Sequence, residues 1–226
     1  MKKSCWIWRG LFYCVGLLAL TCGVTLNTKT LLGVSPIVSI PNCLSVLYGW
    51  SLGGLVTLLY LSLVLLQIPL KGRRFRLLDL MQFPVSFLAG WLVGLYDAKL
   101  NIPNPGLALR VGLLALAILL TGAGVCLMVN MELAPNPADG LVNSLSQVTG
   151  KSLGLCKNLF DVACVGITVV LGLLLSGRVE GIGVGTLASM LLTGRAVAGI
   201  NGVFRRPMRR LAGLEPARCQ REPSAP

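Results

Sequence analysis

Two stretches decide how this chain is read: residues 21–58, TCGVTLNTKTLLGVSPIVSIPNCLSVLYGWSLGGLVTL, and residues 122–159, GAGVCLMVNMELAPNPADGLVNSLSQVTGKSLGLCKNL. Laid over one another without gaps, at an offset of 101, they are one pattern written twice. Gly23 falls on Gly124, Leu32 on Leu133, Pro36 on Pro137, Asn42 on Asn143, Ser45 on Ser146 and Gly49 on Gly150. Ser51-Leu52-Gly53 falls on Ser152-Leu153-Gly154. Leucine matches mean little in an apolar chain. Matches at Gly, Pro, Asn and Ser mean more, because those residues encode turns and caps. Internal duplication in a membrane protein is a common ground plan of transporters.

The rest of the chain makes it a membrane protein. Of its 226 residues, 54% are hydrophobic and 12% charged, and the mean hydropathy is +0.78. Apolar stretches of bilayer-spanning length predict six crossings, at 10–28, 52–70, 78–96, 108–129, 154–176 and 181–203. The expected fold is an all-α polytopic membrane protein in a single membrane domain. Repeat one covers about 10–97, repeat two about 108–203, and a polar cytoplasmic tail about 206–226. The third helix of each copy aligns less well and asks for a gap of about three residues. Three crossings per copy place the second copy upside down, about a pseudo-two-fold axis in the membrane plane. The apolar N-terminus imitates a signal peptide, but its counterpart near 112–127 is internal, so it is read as an uncleaved first helix.

The net charge is +12, and it sits in clusters beside the spans. Lys2, Lys3 and Arg9 precede the first crossing, Lys71, Arg73, Arg74 and Arg76 follow the second, and Arg205, Arg206, Arg209 and Arg210 follow the sixth. Six crossings bring all three clusters to one side, so both termini are expected in the cytoplasm. No basic stretch carries interleaved aromatics, so nucleic acid is not an expected partner. The lipid bilayer is one, and a small-molecule solute a second. Histidine is absent, which removes His-based metal sites, Ser-His-Asp triads and His proton relays. The eight cysteines show no Cys-x-x-Cys spacing and read as small apolar packing residues. Gly181-x-Gly183-x-Gly185 lacks the Lys-Ser/Thr of a phosphate loop and reads as close helix packing. No cofactor and no enzymatic activity are expected.

Between the first and second crossing of each copy lies a segment too polar to span. Ser35-Pro36 and Asn136-Pro137 set an N-cap residue before a first-turn proline, and Gly49 and Gly150 stand where a left-handed glycine stops a helix. Two short helices follow, about 36–48 and 137–149, with Ser51 and Ser152 capping the next ones. Each either lies flat at an interface or enters the bundle as a re-entrant half-helix.

Ionisable groups inside the membrane are the first candidates for function. Asp161 and Arg195 lie at similar depth on the last two helices and are expected to pair, with Lys157, four residues before Asp161, as the rival partner. The pair is either structural or a gated acidic site for a cation or proton. Asn42 with Ser45, and Asn143 with Ser146, share a face of each short helix and either bind substrate or tie the helix to a neighbour. Gln67 and Gln82 lie near the cytoplasmic ends of their helices, and Pro84 is expected to kink the third. Asp139 in the first turn suits a helix N-terminus, and it flanks the short helix together with Glu132. The candidate site is therefore Asn42, Ser45, Asn143, Ser146, Asp161 and Arg195.

The run Leu32-Gly33-Val34-Ser35-Pro36-Ile37-Val38-Ser39-Ile40-Pro41 is followed by Leu44-Ser45, Leu52-Gly53, Leu65-Leu66-Gln67 and Gln82-Phe83-Pro84-Val85-Ser86. Together these resemble the YczE/YyaS-type bacterial integral membrane proteins, related by name to the YitT group. The resemblance covers most of residues 10–205 and departs at Lys29 and Thr30. It implies a bacterial cytoplasmic-membrane protein of unestablished function, and it brings no catalytic residue or cofactor. The function expected is a small-solute transporter or channel-like protein with its site at the repeat interface. The alternative is a non-transporting membrane regulator or assembly partner.

Overall fold

The computed structural model describes residues 3–72, 75–103 and 106–214. Lys2, Arg73, Arg74 and the tail from 215 to 226 lie outside the described residues. Those described form helices α1 (Lys3–Thr28), α2 (Pro36–Tyr48), α3 (Leu52–Lys71), α4 (Leu77–Leu80), α5 (Gln82–Lys99), α6 (Leu107–Asn130), α7 (Pro137–Thr149), α8 (Leu153–Ser176) and α9 (Val184–Leu211), and no strand. Helices α2 and α7 have the predicted bounds, because their stops are chemical. Gly49 and Gly150 sit at φ +68° and +67°, the left-handed conformation glycine adopts without penalty, and end each helix. Ser51 and Ser152 then cap α3 and α8 by accepting from Gly54 N and Leu155 N.

The duplication extends to backbone conformation where side chains have diverged. Leu31 and Glu132 share no chemistry, yet both adopt positive φ, 56° and 52°, in the connection from long helix to short helix. The halves also exchange contacts. Helix α2 packs on α8 while its counterpart α7 packs on α3; within each half, α1 packs on α5 as α6 packs on α9.

The central seam is α1 against α6. Arg9 lies against Met131, Gly16 against Gly124 and Leu127, and Gly23 against Thr121 and Ala117, so the two helices run antiparallel. Gly23 and Gly124 are mates across this seam. A Cβ on Gly23 would lie 2.6 Å from Thr121 N, and one on Gly124 would lie 2.5 Å from Leu20 N, Leu20 being the counterpart of Thr121. The repeated glycine thus serves one close helix crossing from both sides.

Several contacts fix the ends of the bundle. Arg9 donates from Nε and Nη2 to Met131 O at 3.1 and 2.7 Å, satisfying carbonyls left open at the end of α6. Glu132 pairs with Arg209 at 2.7 Å, and Gly213 lies beside Cys5. The start of α1, the end of α6 and the end of α9 therefore meet. Gln67, near the end of α3, donates to Pro137 O at the start of α7, which brings Lys71 to the same end. At the other end Lys29 pairs with Asp97 at 2.6 Å, whereas its counterpart Asn130, at the Arg9 end, donates to Asn201 at 2.8 Å.

Four expectations change. Five helices, α1, α3, α6, α8 and α9, are long and apolar enough to cross a membrane, and α5 is not among them. It has 18 residues, starts at Gln82 and ends in Asp97 and Lys99, which dilutes its hydropathy. Pro84 stands in the first turn of α5, where its missing N–H would have no partner anyway, so it marks a start and not a kink. Helix α9 continues to Leu211, through the arginines and Pro207 assigned to the tail, because Arg209 reaches Glu132 and Met208 is buried. Helices α5 and α9 begin at 82 and 184, one residue off the repeat offset, so most of the expected gap disappears.

A polar cavity between the halves

The short helices are seated by buried hydrogen bonds at counterpart positions. Gln67 and Gln82 are fully buried and bond one another, with Nε2 to Oε1 distances of 3.0 and 3.2 Å, while Gln67 reaches Pro137 O at 3.2 Å. Thr168, the counterpart of Gln67, meets Ser39 at 2.7 Å, and Ser39 donates to Pro36 O. Each short helix is therefore gripped near its first turn by the second long helix of the other half. Gly140 makes room for the amides, since a Cβ there would lie 2.7 Å from Gln67 Oε1.

Against α7 opens a cavity of about 690 Å³, walled by α6, α7, α8 and α9, with Val24, Val38 and Tyr60 contributed by the first half. That volume falls within the range of small-molecule sites. Polar residues enter it from α7, α8 and α9. On α7, Asn136, Asp139 and Asn143 are three and four residues apart and share a face. On α8 the contribution is Lys157, Asn158 and Asp161, and on α9 it is Ser189, Arg195 and Asn201.

Asp161 is buried, and its ion pair is with Lys157 at 2.5 Å, four residues earlier on the same helix. The expected pairing with Arg195 does not form. Arg195 lines the same cavity but makes no ion pair among the described residues. The rival partner needs no approach between helices, whereas Asp161 and Arg195 could meet only if α8 and α9 closed together. Asn143 also faces the cavity. Asn42 lies elsewhere, its amide nitrogen beside Gly181 in the α8–α9 connection. Ser45 and Ser146 donate to Trp50 O and Lys151 O, both at 2.7 Å, each closing the turn behind its short helix. Of the six candidates, Asn143, Asp161 and Arg195 come together; Asn42, Ser45 and Ser146 do not join them.

Two cavity residues carry more than the sequence reading gave them. Asn136 occupies its predicted N-cap position, yet its side chain makes no cap hydrogen bond, and its buried Oδ1 has no partner. Asp139, read as a dipole-favouring first-turn residue, lines the cavity and makes no hydrogen bond or ion pair among the described residues. A signal existed in the repeat. Asp139, Lys157 and Asp161 stand where the first copy has Val38, Val56 and Tyr60, so charge was placed on one side only of a duplicated frame.

Fold and cavity together define a helical membrane protein. The chain belongs to DUF6198, a family of unknown function, whose sequence profile matches residues 7–202. No curated protein and no solved structure matches it.

Proposed function

We propose that this is a multi-pass protein of the bacterial cytoplasmic membrane that moves a small solute, as a transporter or channel-like protein, through a site between two inverted repeats. The observation that carries the reading is the cavity itself, which draws Asp139, Asp161 and Arg195 from three helices of one half and is closed by Tyr60 and Val38 of the other. Inversion is supported by α1 and α6, counterparts that run antiparallel, and by the contacts the halves exchange. In this reading α5 is the sixth crossing, tolerated because Gln82 bonds Gln67 and Asp97 bonds Lys29. Helices α2 and α7 are re-entrant half-helices, and the end carrying Arg9, Lys71 and Arg209 faces the cytoplasm.

The test uses the full chain in proteoliposomes. Asn42→Cys and Asn143→Cys, each in a cysteine-free background, are expected to react with impermeant thiol reagents from opposite faces. Flux of small solutes is expected to depend on the protein. Labelling from one face alone would sink the inverted arrangement, and absence of any flux would sink transport. One observation favours the alternative, a non-transporting regulator or assembly partner: α9 is only 6% buried over its most apolar window, which leaves a long face for a neighbour in the membrane. Loss of flux with retention of a co-purifying membrane partner would favour that reading.

A further inference from the structure

The charges around the cavity can be paired off. Asp161 is held by Lys157, and Glu132, at the rim, by Arg209. Two charges then remain without an ion pair among the described residues: Asp139 on α7 and Arg195 on α9. Beside Asp139, one helical turn earlier on the same face, Asn136 is 4% exposed with its Oδ1 unpartnered. A buried amide oxygen without a donor is costly, as is a lone charge in an apolar wall. The arrangement thus asks for a hydrogen-bond donor and positive charge at α7, and for negative charge at α9. A simple cation would satisfy α7 and leave Arg195, and a simple anion would do the reverse. A metal ion is a poor match, since no group of three His, Cys, Asp or Glu side chains converges among the described residues.

We propose that the cavity takes a small zwitterionic solute, with its ammonium group on Asp139 and the Asn136 amide oxygen and its anionic end on Arg195. One molecule then neutralises both charges and supplies the missing donor, and the neighbouring Asn143 and Asn158 offer further polar contacts. The inference rests on the reading of this cavity as a solute site and adds the class of solute.

The test is ligand-induced thermal stabilisation of the purified full chain. The probes are glycine, β-alanine and γ-aminobutyrate, set against butylamine and butyrate as single-charge controls. At least one zwitterion is expected to raise the melting temperature where neither control does so at equal concentration. Asp139→Asn and Arg195→Gln are each expected to weaken that zwitterion about tenfold or more. Arg195→Lys, which keeps the charge, is expected to weaken it less. The inference is overturned if no zwitterion acts, or if butylamine acts equally and Arg195→Gln changes nothing. Variants that melt as the parent does without ligand remove misfolding as an explanation. Glycerol flux in proteoliposomes separates this inference from the one beneath it. Glycerol passage with inert zwitterions overturns the zwitterion and leaves a solute pathway, whereas a bound zwitterion with no flux of any probe sustains the site and overturns transport.

Discussion

In the first half α3 and α5 pack against each other along Gly53, Thr57, Gly90 and Gly94; in the second half α8 and α9 make no comparable contact. At the offset of 101 Gly53 and Thr57 of α3 correspond to Gly154 and Asn158 of α8, which line the cavity, and α9 lines it with Leu191 and Arg195. A Cβ on Gly53 would strike the carbonyl of Gly90, whereas one on Gly154 would meet nothing within 4 Å. Small residues close the seam of the first half, and the second half opens into the cavity instead.

The largest effect is expected from breaking the closed seam. Gly90→Leu drives a side chain into Thr57 and the Gly53 carbonyl. A loss of about 3 kcal/mol is expected, at the upper end of overpacking costs. Gly154→Ala, at the counterpart of Gly53, is expected to stay within about 0.5 kcal/mol. Melting of both variants in one detergent decides the matter, and equal losses would mean that the openness of the second seam is not set by these residues.

That contrast also marks how much of the fold was legible. The repeat, both short helices and their stops could be read because they rest on local chemistry: Pro36 and Pro137 at helix starts, Gly49 and Gly150 at positive φ, Ser51 and Ser152 as caps. The cavity was half legible. Asp161 and Arg195 stood out as charges in apolar runs, but their separation depends on α8 and α9 not packing against one another, a tertiary effect with no local signature. Asn136 and Asp139 were hidden by roles that fit them equally well in sequence, a cap and a dipole partner. The buried pair of Gln67 and Gln82 spans a turn and two helices, so periodicity could not join them.

A second break falls on the joints between the halves. Gln67→Leu removes bonds to Gln82 and Pro137 O and leaves a buried amide unsatisfied. About 2 kcal/mol should be lost, and the double variant with Gln82→Leu should recover part of it, because an unpaired amide costs more than an absent pair. Thr168→Val at the counterpart position breaks the contact with Ser39, whose hydroxyl keeps Pro36 O, and the bond to Cys164 O within its own helix, and should lose about 1 kcal/mol. If the Thr168 variant costs the more, the first half is not the tightly joined one. Arg9→Ala should cost about 1.5 kcal/mol by uncovering Met131 O, read out by chemical melting of the detergent-solubilised chain.

The smallest effect sharpens the comparison by asking where the halves are still alike. Ser45 and Ser146 make the same bond, at the same 2.7 Å, to the carbonyl five residues on, and neither touches the cavity. Ser45→Ala and Ser146→Ala should each cost about 0.5 to 1 kcal/mol, equal within error, since both break one neutral, partly exposed hydrogen bond. Neither should change solute flux or ligand stabilisation. Equal costs would place these serines in the shared scaffold that both copies keep. A loss of flux confined to Ser146→Ala would instead extend the functional asymmetry from the cavity to the far end of α7, and would make the turn behind that helix part of the moving machinery.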